Sequence, residues 1–133
     1  MEKIADSGLI IAALDKGDRY HVWAKKVLET ETPPWLVCES VLAEICASIG
    51  TAEPVLQMLQ LGDLEIKFSL EENTSEVLAL IRKYRDQRMD LADACVVRMS
   101  EVLKGAIVYT VDKTDFSVYR RNSRQRIPCV FPD

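Results

Sequence analysis

At 133 residues, with 48% hydrophobic and 29% charged side chains and a net charge of −4, the chain reads as one ordinary globular domain, residues 1–133, able to bury a full core. The opening Met1-Glu2-Lys3-Ile4 lacks the basic-then-apolar plan of a signal peptide, and the early apolar run Leu9 to Leu14 is too short to span a bilayer, so a soluble, cytoplasmic protein with no membrane contact is expected. A lone histidine, His21, and four well-separated cysteines exclude a histidine metal cage, a two-histidine acid/base pair and a C-x-x-C zinc or redox site, and leave each cysteine to read as a small buried hydrophobe.

Strand-like and helical segments alternate along the chain, without repeats or low-complexity stretches. Lys3 to Ala5 is a short strand leading into Asp6, and Leu9 to Leu14 continues as helix up to the break at Gly17-Asp18. A helix near Tyr20 to Glu29 stops before Pro33-Pro34, which reset the chain for a strand at Trp35 to Cys38. Glu39 to Ile49 is helical, with Val41, Leu42, Ile45 and Ile49 on its buried side and Gly50 as its stop. Val55 to Leu61 makes another helix ended by Gly62, Leu64 to Phe68 a strand, and Glu72 to Arg85 a long amphipathic helix. The helix Leu91 to Leu103 closes on Lys104-Gly105, and the strand Ala106 to Val111, a turn at Lys113-Thr114 and a last strand Ile127 to Phe131 complete the chain. Such alternation implies an α/β fold in which a mostly parallel sheet is covered on both faces.

Ligands of open parallel sheets gather at the carboxyl ends of the strands. Asp6 follows the first strand and Asp112 the strand of residues 106–111, so both belong at that edge. Glu44 lies between Val41 at i−3 and Ala47 at i+3 and is the only charge from Ser40 to Ala52. A carboxylate on that inward side costs several kcal/mol if left unpaired, so a cation partner suits it, as would a half-exposed position at the edge of the apolar stripe. In Met89-Asp90-Leu91-Ala92-Asp93-Ala94, Asp90 is placed as an N-cap, and Asp93 sits in the first turn, where the helix dipole favours a carboxylate in any case. Val96 and Val97 follow Asp93 at i+3 and i+4 and turn its side inward, which assigns capping mainly to Asp90 and chemistry mainly to Asp93. Asp115 reads either as a turn residue or as an outer ligand behind Asp112. Four carboxylates sharing one pocket would push protons back onto one another unless a divalent cation, bound through oxygen, relieved the repulsion.

With these four acids set aside the remaining charge balances to zero, and positive charge collects in Arg82, Lys83, Arg85 and Arg88 and in Lys113, Arg120, Arg121, Arg124 and Arg126. The first group reads as a solvated helix face. The second reads equally as a charged tail or as a basic rim suited to phosphate backbones, with Lys113, Arg120 and Arg121 the candidate phosphate contacts and Trp35 and Tyr119 candidate aromatics beside them.

Four motifs carry a resemblance. Ile4-Ala5-Asp6-Ser7-Gly8-Leu9-Ile10, Val41-Leu42-Ala43-Glu44-Ile45, Met89-Asp90-Leu91-Ala92-Asp93-Ala94 and Tyr109-Thr110-Val111-Asp112-Lys113-Thr114-Asp115-Phe116 resemble, in order and spacing, the acidic motifs of PIN-domain ribonucleases, and with the chain length those of VapC-type toxins of toxin–antitoxin pairs. The resemblance implies a three-layer α/β/α domain with about five strands that binds Mg²⁺ or Mn²⁺ and cuts RNA. It implies Asp6, Glu44, Asp93 and Asp112 as the acidic quartet, with Ser7 and Thr110 at positions that often carry a hydroxyl. Gly8 departs from the family pattern, where Ala is common. A homodimer and a small antitoxin protein are the implied partners.

Phosphodiester hydrolysis by carboxylate-held metal ions needs no protein nucleophile. On this reading Asp6, Asp93 and Asp112 hold the metal, and Glu44 acts as a ligand through water or orients the attacking water. A haloacid-dehalogenase-type enzyme would need an aspartate where Gly8 stands, a receiver domain an acidic neighbour to Asp6, and a dinucleotide binder a glycine-rich turn that Ser7-Gly8-Leu9 does not make. The remaining alternative is a catalytically weak PIN-like module that binds RNA or protein.

Overall fold

The computed structural model describes residues 1–133. The elements in order are β1 (Lys3–Ala5), α1 (Ser7–Leu14), α2 (His21–Thr30), β2 (Trp35–Val37), α3 (Glu39–Ile49), α4 (Glu53–Leu61) and β3 (Leu64–Ile66). They continue with α5 (Thr74–Lys83), α6 (Leu91–Val102), β4 (Ile107–Tyr109), α7 (Lys113–Val118), β5 (Arg120–Arg121), β6 (Gln125–Arg126) and β7 (Cys129–Val130). Five strands form one sheet in the order β3-β2-β1-β4-β7, every neighbouring pair parallel. The chain moves outward from β1 through β2 to β3, then returns to add β4 on the other side of β1. The switch point therefore lies between β1 and β4, where the carboxyl ends of two adjacent strands diverge and leave a crevice.

Parallel strands covered on both faces read as continuous apolar runs rather than alternating ones, and all three residues of β1 and all three of β2 are buried. Helix α1 packs on α2 and α3, α5 on α6, and α6 against β1 and β4, giving the three-layer α/β/α arrangement. Thirty-two buried hydrophobic residues make one continuous core, with Ile4, Leu9, Ile10, Ile45, Val96 and Val108 fully enclosed. No helix is long and apolar enough to cross a membrane.

Several sequence expectations are corrected. The turn expected at Lys113-Thr114 is the first turn of α7, because Asp112 caps it by accepting from the Asp115 N–H and Phe116 buries on its inner side. The helix expected over 72–85 is shorter and is flanked by 3₁₀ turns at Glu71–Asn73 and Arg85–Gln87. Ser69 draws the first of these into a local loop, its hydroxyl accepting from the Glu72 N–H at 3.2 Å and its carbonyl from Asn73 Nδ2 at 2.8 Å. The charged segment before the last strand folds as the antiparallel ribbon β5–β6, turning through positive φ at Asn122 (49°) and Ser123 (68°). Of the four free cysteines, Cys38 and Cys95 are buried as expected, whereas Cys46 and Cys129 are half-buried.

Candidate active site

The register of the sheet brings the first two acids together. Ala5 lies opposite Tyr109, and the Asp6 N–H donates to the Tyr109 carbonyl at 3.0 Å, so the two chains leave the sheet side by side. Asp6 caps α1, its Oδ1 accepting from the Ser7 N–H at 2.9 Å. Its Oδ2 accepts from the Thr110 hydroxyl at 2.7 Å, and Thr110 Oγ1 accepts in turn from the Asp112 N–H at 3.0 Å. A fully buried threonine thus relays a donor chain from Asp112 to Asp6. Gly8 has a reason in the same place, since a Cβ on it would collide with Cγ2 of Val111, the residue between Thr110 and Asp112.

Helix α6 brings the third acid. Asp90 caps it, accepting from the Asp93 N–H at 2.8 Å, which leaves the Asp93 carboxylate free to accept from the Tyr119 hydroxyl at 3.1 Å through Oδ2. Glu44, half-buried on α3, projects toward Ser7 and Asp90. Three helices, α1, α6 and α7, thereby direct their N-termini at one pocket, and the partial positive charge of those ends offsets part of the carboxylate charge.

That offset is incomplete. Burial pushes Asp6 up to about 6, the charges of Glu44 and Asp112 adding to it against the bonds from Thr110 and Ser7. Burial likewise raises Asp93 to about 7, helped by the charges of Asp90, Asp6 and Asp112 and opposed by the Tyr119 hydroxyl. Glu44 is raised by burial and by the neighbouring Asp90, and Asp115 by burial and by Asp112. Each of these groups feels the next, so the pocket is a single field of negative charge with no cationic side chain tied to it. The donor set is all carboxylate oxygen, which suits a hard divalent cation. No three of the acids converge on one point at ligand distance, as expected of groups that repel one another.

No family model matches the chain. Ribonuclease VapC26 of Mycobacterium tuberculosis (strain ATCC 25618 / H37Rv) is 25% identical to it over 123 residues, 88% of this chain and 91% of that protein. The chain is similar to a VapC ribonuclease over most of its length.

Asp6 lies close enough to Glu44, Asp93 and Asp112 to act on each of them, and the expected supporting residues differ in how they meet this cluster. Thr110 meets Asp6 through its side chain, Ser7 through its backbone N–H, and Asp115 donates its N–H to Asp112 Oδ1 at 3.0 Å. Lys113 is exposed next to Asp112. Arg120 spends one guanidinium nitrogen on the carbonyls of Ser117, Val118 and Tyr119, and Arg121 keeps a buried Nε without a partner. Trp35 is not at the rim. It begins β2, at the opposite edge of the sheet, and is buried against Tyr109. Tyr119 is fully buried too, and its part is to hold Asp93 from within a cluster with Tyr84 and Phe116. A lone aromatic inside the polar run 117–126 was the signal for it, because such a residue normally anchors the segment to a core.

Proposed function

We propose that this chain is a metal-dependent endoribonuclease that hydrolyses RNA phosphodiester bonds, the toxin of a VapBC-type pair. The observation that carries this reading is the gathering of four acids from four separate segments at the switch point of a parallel sheet, two of them held well above the ordinary carboxylate range. The similarity to a curated VapC ribonuclease supports the same reading independently.

Asp6, Asp93 and Asp112 would hold Mg²⁺ or Mn²⁺, with Glu44 a ligand through water or the group that orients the attacking water. A bound divalent cation activates water and stabilises charge on the phosphate oxygens. The chain's own residues set the geometry. Thr110 fixes the Asp6 carboxylate through Oδ2, and Tyr119 fixes Asp93 through Oδ2 while leaving Oδ1 free. Glu44, raised toward neutrality by burial, is suited to take a proton from the water it orients. Lys113, Arg120 and Arg121, with the rest of the β5–β6 ribbon, would meet the phosphates that flank the cut. A small antitoxin and a second copy of the chain are the proposed protein partners, and the exposed Leu56 and Leu61 of α4 offer apolar surface for one of them.

Calorimetric titration of Mn²⁺ into the wild type and Asp93→Asn, with RNA cleavage assayed on the same samples, tests the reading. Binding and cleavage in the wild type, both lost in the variant, are expected. A wild type that binds no metal at millimolar concentration would leave the module reading in its place.

A further inference from the structure

The carboxyl edge of the sheet continues past the acids toward β2 and β3 and opens there into a cavity of about 500 Å³. That volume lies within the about 300–1,000 Å³ of small-molecule sites. Its walls are Ile66, Phe68 and Leu70 with the thiols of Cys38 and Cys95, and its polar groups are Ser40, Ser69, Glu39 and Glu71. The cavity adjoins the acid cluster. Cys38 caps the helix that carries Glu44, Cys95 lies two residues beyond Asp93 on α6, and Asp90 acts electrostatically on both Glu44 and Cys95.

No lysine or arginine lines this cavity, and two exposed carboxylates do, so a phosphate would be repelled from it. An apolar-walled space whose only charged groups are acceptors instead suits a flat, uncharged ring that carries N–H donors on its edge. The opposite flank of the acids has the complementary character. Arg120 and Arg126, directly paired across the β5–β6 ribbon, line a cavity of about 170 Å³ there together with Ser117. A strand lying across the acids thus finds cations for its phosphates on one side and an apolar, acceptor-lined space on the other.

We propose that the Cys38–Glu71 cavity receives an unpaired base of the RNA substrate and favours one with an exocyclic amino group, its N–H donors taken by Glu71 and Glu39. The proposal rests on the ribonuclease reading and extends that site by one nucleotide position.

Cytidine and uridine make the test, because they share sugar and ring and differ in presenting a donor or an acceptor at the same edge position. The chain is titrated with each nucleoside and followed by amide chemical shifts in proton–nitrogen NMR spectra. Cytidine is expected to shift the amides of Ser40, Ser69, Leu70 and Glu71 and to bind roughly tenfold more tightly than uridine, the preference a carboxylate acceptor gives. Glu71→Gln combined with Glu39→Gln should bring the two affinities close to equal, with the rest of the spectrum unchanged as the check on folding. Equal affinities in the wild type, shifts confined to the β5–β6 ribbon, or no shifts at all would overturn the proposal. So would concentration-dependent shifts of these amides without nucleoside, which would give the cavity to a second copy. Mn²⁺-dependent cleavage assayed on the same samples separates the two readings: cleavage without nucleoside shifts removes only the base site, and shifts without cleavage remove only the nuclease.

Discussion

On the β2–β3 side of the acids the sheet edge opens into a cavity with no cationic side chain on its walls, whereas on the β4–β7 side it meets a ribbon carrying four arginines. The first region is made from the ends of two parallel strands, the start of α3 and the loop Phe68 to Glu71, with Cys38, Cys95 and Phe68 buried and Glu39 and Glu71 exposed at its mouth. The second is a short two-stranded ribbon fixed by a few anchors, Tyr84 accepting from the Arg120 N–H at 2.9 Å and Glu101 from the Asn122 N–H at 2.6 Å. The difference separates two jobs that a net charge of −4 conceals. On the proposed function, affinity for a polyanion would be carried by a small basic appendage, while the reacting floor and any choice among bases would belong to the acidic core.

The largest effect expected is at the floor between these regions. Asp6→Asn should lower metal-dependent cleavage roughly 100-fold or more while the circular dichroism spectrum is unchanged. A fully active Asp6→Asn protein would break the division, since the floor would then not be where the reaction happens.

The next effect is on stability. Asp6, at about 6 against an ordinary 3.8, is held neutral in the folded chain more strongly than in the unfolded one. That stabilisation is complete below pH 4 and is lost as the pH rises through 6, and Asp93 extends the loss to about 7. In EDTA, wild-type stability measured against Asp6→Asn should therefore fall between pH 4 and pH 8, by about 3 kcal/mol for Asp6 alone. Mn²⁺ should raise the melting temperature more at pH 8 than at pH 5. A flat pH profile in EDTA would mean that Asp6 and Asp93 are not buried as the structure places them.

Thr110→Val removes the hydroxyl that bridges Asp112 and Asp6. It should cost about 1–3 kcal/mol in a urea unfolding curve, because a buried carboxylate oxygen and a backbone N–H lose their partner together. The smallest effect sharpens the comparison most directly. Arg126→Gln should weaken RNA binding evenly across sequences and reduce the dependence of log affinity on log salt by about 1. Glu71→Gln should leave that slope alone, and equal slopes changes in the two variants would show that the flanks do not divide the work.

Much of this site was legible in the sequence because each acid sits at a discontinuity that local chemistry marks. Asp6 and Asp112 end apolar strands, and Asp90 announces the start of α6. Glu44 stands alone among apolar and small residues. Strand ends were overextended, since Ala106 and Phe68 are apolar and buried without being paired in the ladder. The β5–β6 ribbon was hidden because its pairing places arginines opposite one another, and its inward residues, Tyr119 and Ile127, lie just outside the strands. Nothing in the spacing of Cys38, Glu71 and Cys95 indicates that they share a cavity, because that depends on β2, β3 and α6 being neighbours in space.

Three of the four acids have a second occupation. Asp6 and Asp112 cap helices, and Asp93 sits in the favourable first turn of α6, so a chain selected only to keep its shape would tend to retain them even after it stopped cutting anything. Glu44 caps nothing and lies well inside α3. Among descendants of this chain, whether that glutamate survives is the mark that tells a working nuclease from an inherited scaffold.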